Sequence, residues 1–247
     1  MFQLAVQPDN GGLAITLDLV AAACRLKDHP GQQFTQTLRE LAVDRLRQAI
    51  VTGRFASGDR LVERSLCDQL GVSRSVVREA IRYLEAEGPV ETLPRSGPVV
   101  ATLDWPRARQ IYDIRRLLEA EAAAACAAAA DPVVEARLRA ALDGMQLAKG
   151  SGRPDGLLAA TTSFYEVIFT AAGHEVAWEI VQRLNGRISR LRAITLASTD
   201  RSISGHAHMQ RICAAICNRD PAAAAAAVHA HLKDAAEIAR ASLEAPQ

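Results

Sequence analysis

The stretch from Val62 to Glu87 constrains the fold of this chain more than any other. Val62 to Leu70 reads as a short helix, Gly71-Val72 breaks it, and Ser73 is a good N-cap for a further helix running to about Glu87. An amphipathic helix over Gln36 to Val51 precedes the pair, stopped by Gly53, and the turn Phe55-Ala-Ser-Gly-Asp-Arg60 leads into it. Beyond Gly88-Pro89, two β-prone pieces, Val90 to Leu93 and Val99 to Thr102, flank Pro94-Arg-Ser-Gly97, which is a hairpin signal. Helix, short helix, glycine-containing turn, capped helix and hairpin make a winged helix-turn-helix.

The capped helix has two unlike sides. Val77, Ala80, Ile81 and Leu84 share one side, while Arg74, Arg78 and Arg82 fall within about 80° of one another on the side next to it. From Arg74 to Arg82 the helix rises roughly 12 Å, about the width of a DNA major groove. Ser73 and Ser75 flank the helix start, where free N–H groups and the dipole favour phosphate. A basic, solvated face on an ordinary helix fits the same pattern. Net charge does not decide between the two, because 29 basic and 28 acidic side chains leave the chain at +1. Placement favours DNA, since Arg74, Arg78 and the hairpin's Arg95 can converge on one surface.

After Leu103-Asp-Trp-Pro106 the composition shifts. Alanine supplies 47 of the 247 residues and aromatics only 4%, so the remainder leans towards helix. Six helical segments are expected: Arg107 to Ala129, Pro132 to Lys149, Gly156 to Ala172, Glu175 to Ser198, Ser202 to Asn218 and Pro221 to Leu243, with Gly150 to Gly156 as the clearest loop. The fold class is thus mainly α, a winged helix-turn-helix joined to a six- to seven-helix antiparallel bundle. Residues 1–34 read as an extension with a short helix over Ala14 to Arg25, residues 35–103 as the DNA-binding domain and 107–243 as the bundle. Neither a signal peptide nor a membrane span fits, and five scattered cysteines do not form a disulfide framework, so a cytoplasmic protein without a membrane partner is expected.

These residues also carry a resemblance. Asp59-Arg-Leu-Val-Glu-Arg-Ser-Leu66, Leu70-Gly-Val-Ser-Arg-Ser-Val-Val-Arg-Glu-Ala80 and Leu84-Glu-Ala-Glu-Gly88 resemble the N-terminal domain of GntR-family transcriptional regulators. Ser57-Gly58 stands where that family usually has Pro-Gly, and Pro89 replaces a usual leucine. The resemblance implies DNA contacts from Arg64, Ser73, Arg74, Ser75, Arg78, Ser96 and Gly97. Of these, Arg74 and Arg78 would read guanine edges or phosphates, while Arg64 and the serines position the backbone.

The bundle is similar to the FCD domain of the FadR-like branch, on Asp113-Ile-Arg115, Leu118-Glu119, Thr161-Thr-Ser-Phe-Tyr165, Ala172-Gly-His174, Ile212, Ala215-Ile216, Asp220 and His231-Leu232. Many members of that branch hold a divalent metal with one Asp and three His. The matching positions here are Thr161, Tyr165, Met209 and His231, and only the last is a good ligand, so no metal and no cofactor are expected. A rival site would be rebuilt from His206, His208, His229 and His231. The cysteines Cys213 and Cys217, four apart on one helix, read as small buried residues or as a metal or redox pair. A small-molecule effector, with a carboxylate among the candidates, would then use Arg115, Thr161, Tyr165, Met209 and His231, with Arg187 and Arg190 as further anchors.

The resemblance implies a dimeric repressor on a pseudo-palindromic double-stranded operator, altered by a small metabolite. A protein-binding winged helix and a histidine-based metal sensor are the alternatives. An enzyme finds no support, for want of a nucleophile, base and orienting group in a recognisable set.

Overall fold

A computed structural model describes residues 37–150, 154–197 and 205–245. The expected extension over residues 1–34 lies outside them. Ten helices and one two-stranded sheet occur among the described residues, in the order α1 (Leu38–Val51), α2 (Glu63–Leu70), α3 (Arg74–Glu87), β1 (Val90–Leu93), β2 (Gly97–Val100), α4 (Trp105–Ala129), α5 (Pro132–Gly150), α6 (Pro154–Ala171), α7 (Glu175–Arg187), α8 (Ser189–Ala197), α9 (Gly205–Cys217) and α10 (Pro221–Glu244). None of these helices is long and apolar enough to cross a membrane.

Helix starts follow their caps. Thr37 and Glu40 form a reciprocal capping box at α1, and Ser73, Asp104 and Asp220 cap α3, α4 and α10. Left-handed Gly71 and Gly88 end α2 and α3, a conformation that a side chain would strain. Several boundaries differ from the sequence expectation: α4 begins at Trp105 rather than Arg107, capped by Asp104 within the expected linker, and the second wing strand ends at Val100 rather than Thr102. Helix α6 begins at Pro154, two residues early, because proline suits a first turn. The second wing strand begins at Gly97 rather than Val99, with Val90 opposite Val100 and Leu93 opposite Gly97. The free edge of β2 is then covered by Asp59 to Leu61, through Leu61 N to the Pro98 carbonyl and Val100 N to the Asp59 carbonyl, both 2.9 Å. The helix expected over Glu175 to Ser198 is broken at Ile188 into α7 and α8. Asn185 and Gly186 are weak helix formers there, and Gly186 is held against the Glu87 backbone.

Two hydrophobic cores result. The first gathers Leu46, Ile50, Leu66, Val77, Ile81, Leu84 and Val90 from α1 to β1. The second gathers Phe164, Ile168, Phe169, Met209, Ile212, Val228 and the alanines of α4 and α10. Those alanines, among them Ala122, Ala123 and Ala127 on α4 and Ala224, Ala235 and Ala239 on α10, are small enough for the two long helices to lie close together.

Candidate nucleic-acid interface and buried polar cluster

The apolar side of α3 is fully committed to the first core, which leaves its arginines outward. The Arg74 and Arg78 side chains are 63% and 55% exposed. Both converge on Glu63 of α2. Arg78 Nε donates to its two carboxylate oxygens at 2.8 and 3.0 Å, and Arg74 Nε lies 3.9 Å away. At the start of α3, Ser73 Oγ accepts from Val76 N at 3.5 Å and sits 2.8 Å from Ser75 Oγ. Arg64 is exposed on α2, and Arg95 is exposed at the wing tip. Ser96 is half-buried beside Gly97, whose φ is +73° with open space around its α-carbon. Glu63 was not singled out from sequence. An acidic residue eleven positions before Arg74 acquires meaning only once the turn folds α2 back onto α3.

In the second core, the five candidate effector residues Arg115, Thr161, Tyr165, Met209 and His231 are all buried. Arg115 Nε donates to Glu119 Oε1 at 2.7 Å, one helical turn along α4, and its guanidinium lies 5.6 Å from the Tyr112 ring centre. Burial works to discharge Arg115, but Glu119 and Tyr112 more than offset it and the net pKa is raised. Burial and then the negative Glu119 push the Tyr165 phenol well above its usual range, so it stays neutral. Thr161 donates its hydroxyl to the Leu157 carbonyl at 2.8 Å. His208 Nε2 lies 2.8 Å from Asp234 Oδ2, and its ring centre is 5.4 Å from that of His231.

Arg192 of α8 joins this group. It is 6% exposed, with its Nη2 buried and without a hydrogen-bond partner. Burial first, and then the like charge of Arg115, lower its pKa to about 10. The other two arginines expected as anchors are placed elsewhere. Arg187 packs against Gly88 and Arg190 against Gly53, both where the first core meets the second, so neither joins the buried polar cluster.

Residues 38–100 match the bacterial regulatory proteins of the gntR family, and residues 110–234 match the FCD domain. The chain belongs to the GntR family. This GntR-family protein is 34% identical over 130 residues to an HTH-type transcriptional regulator from the TAR-I ttuE-ttuC' intergenic region of Agrobacterium vitis, covering 51% of the chain and 76% of the relative. It is 43% identical over 74 residues to the gluconate operon transcriptional repressor of Bacillus subtilis, 30% of each chain. In fold it is similar to McbR/YncC of E. coli, with a TM-score of 0.67 and 20% identity over 84% of this chain and 99% of that one. It is a DNA-binding transcriptional regulator and not an enzyme.

The donor set of this GntR-family regulator does not fit a divalent metal. The Thr161 hydroxyl is committed to a backbone carbonyl, Met209 lies in the apolar core, and His208 is engaged by Asp234. Among the described residues no group of three or more His, Cys, Asp or Glu side chains is placed to hold a metal ion. Cys213 and Cys217 approach to 3.9 Å between sulfurs. Glu119 and Arg192, the two charges that complete the buried polar cluster, were missed from sequence. The spacing from Arg115 to Glu119 was a usable signal, because residues four apart meet on a helix. Arg192 carried none, since no periodicity says that the polar side of α8, with Ser189 and Thr195, turns inward.

Proposed function

We propose that this regulator is a dimeric repressor that holds a pseudo-palindromic operator and is released or altered by a small metabolite. Residues 35–103 would form the DNA-binding head and 107–243 the sensing and dimerising bundle. The observation that carries the reading is the pair Arg74 and Arg78, exposed on the outer side of a Ser73-capped helix whose inner side is spent on the core. Arg74 and Arg78 would reach base edges or phosphates, and Arg64, Ser73, Ser75, Ser96 and Gly97 would set the register on the backbone. Repression is supported by the named repressor that the head resembles. The effector would lie among Arg115, Thr161, Tyr165, Met209 and His231, whose polar atoms are enclosed by apolar side chains, an arrangement that suits a small organic ligand.

The test begins by selecting a binding sequence from random duplex DNA with the purified chain. Arg74→Ala and Arg78→Ala are each expected to weaken binding to it by about 5- to 100-fold. Unchanged binding by both variants would sink the assignment and favour a protein partner for the head.

A further inference from the structure

Three of the chain's five cysteines meet at one end of the bundle. Cys213 and Cys217 stand one turn apart on α9 with their sulfurs 3.9 Å apart, and Cys126 of α4 is close enough to Cys217 for their charges to interact. Helix α9 ends at Cys217, where Asp220 N donates back to the Ala215 carbonyl at 3.1 Å, so the pair occupies its last turn. Cys213 is buried and Cys217 half-buried, which opens the pair to solvent from one side. From α5, Arg139 and Glu135 act on Cys213 with opposite charges and lie 3.8 Å from each other.

Two chemistries suit such a dithiol, and the spacing separates them. A disulfide needs its sulfurs about 2.0 Å apart, so the pair would have to close by roughly half its separation within a single helical turn. A metal held in line between two thiolates, with bonds of about 2.3 Å, spaces the sulfurs at about 4.6 Å and asks for a shift of only about 0.7 Å. Burial and then Cys217 hold the Cys213 thiol protonated, up to about 12, so the thiolate that an oxidant attacks is scarce. Among the described residues no group of three His, Cys, Asp or Glu side chains is placed to hold a metal. That sets aside zinc, which takes four ligands, and calcium or magnesium, which take oxygens. A soft cation content with two sulfurs remains.

We propose that Cys213 and Cys217 form a two-coordinate site for a soft monovalent cation, copper(I). Binding exchanges two S–H bonds for two copper–sulfur bonds and releases both protons, and neither metal nor sulfur changes oxidation state. The bis-thiolate complex carries one negative charge, and Arg139 of α5 is the cation that favours negative charge on Cys213. Cys126 is not a ligand and keeps its proton. The site stands apart from the operator and effector readings above, since none of their residues belongs to it.

The test is an anaerobic titration of the reduced full chain into the coloured complex of copper(I) with bicinchoninate, with ascorbate present to hold the oxidation state. The wild type is expected to withdraw about one copper(I) per chain. Cys213→Ser and Cys217→Ser are each expected to weaken uptake by about 10²- to 10⁴-fold, the advantage that a tethered second ligand confers. Cys126→Ala and Cys67→Ser should keep it. Cys213 is buried, so a measurement on the wild type removes any dependence on how its variants fold. Copper(I) is expected to protect the peptide carrying Cys213 and Cys217 from iodoacetamide, read by mass spectrometry, and zinc(II) at the same concentration is not. No uptake by the wild type, unchanged uptake in either serine variant, loss of uptake in a folded Cys126→Ala protein, or equal protection by zinc(II) each overturns the proposal.

Discussion

Glu63 is the residue on which the proposed DNA surface turns. In the free protein it holds Arg78 by two hydrogen bonds and draws Arg74 towards it, so binding to phosphate must displace or share those contacts. Glu63→Gln is expected to raise affinity for random duplex several-fold and to reduce discrimination between operator and random sequence, as measured by fluorescence anisotropy at fixed salt. In the bundle the corresponding residue is Glu119, the single carboxylate beside two guanidiniums. Glu119→Gln leaves both cations buried and is expected to cost about 3–5 kcal/mol in chemical denaturation. Adding Arg192→Met to it should recover most of that loss, because the double variant again holds one cation. The two residues contrast in legibility. Arg115 and Glu119 share a helix and their spacing pairs them, whereas Arg192 lies 73 positions further along the chain and meets them only after α8 has packed.

Among the elements, the break between α7 and α8 carries the most. A Cβ built on Gly186 would collide with the Glu87 carbonyl at the end of α3, and Arg187 packs against Gly88 just beyond it. The last turn of α3 therefore rests directly on bundle backbone. Gly186→Ala must push the two apart or distort α7, and is expected to destabilise the chain by about 1–3 kcal/mol, seen as a lower melting temperature by calorimetry. It should also change operator affinity, although residue 186 is remote from the arginine stripe. The winged head was legible in advance because each of its elements is punctuated locally, by Ser73, Gly71, Gly88 and the Pro94 to Gly97 turn. The bundle's helices were legible as periodic runs. The break at Ile188 was not, because it depends on a contact between α7 and α3 that no local pattern encodes. The strand shift to Gly97 has the same origin, in the pairing of β2 with Asp59 to Leu61.

At the scale of the whole molecule, alkaline pH tests how the second core is packed. Burial raises the Cys126 thiol to about 11 and the Cys213 thiol to about 12, against an ordinary value of 9.0, with Cys217 contributing to both. In the unfolded chain these thiols ionise as pH passes 9, while in the fold they keep their protons. The native state then binds more protons, so the stability they contribute is complete below pH 9 and is lost as pH rises from there to 11–12. The melting temperature is expected to fall over that window, and Cys126→Ala should flatten the fall. DNA binding follows a different variable. With the surface contributing a handful of phosphate contacts, affinity should drop steeply with salt, and each phosphate-contacting arginine removed should lower the slope by about one.

The seam at Gly186 also sets a rule for exchanging parts among regulators of this kind. The two halves have separate cores, so on the proposed reading a foreign DNA-reading head could be grafted onto this bundle. The graft must deliver a chain whose Glu87-to-Pro89 turn lies flat against an α7 residue lacking a side chain. A donor head with a different turn there would keep its own core and yet lose this backbone contact with the bundle.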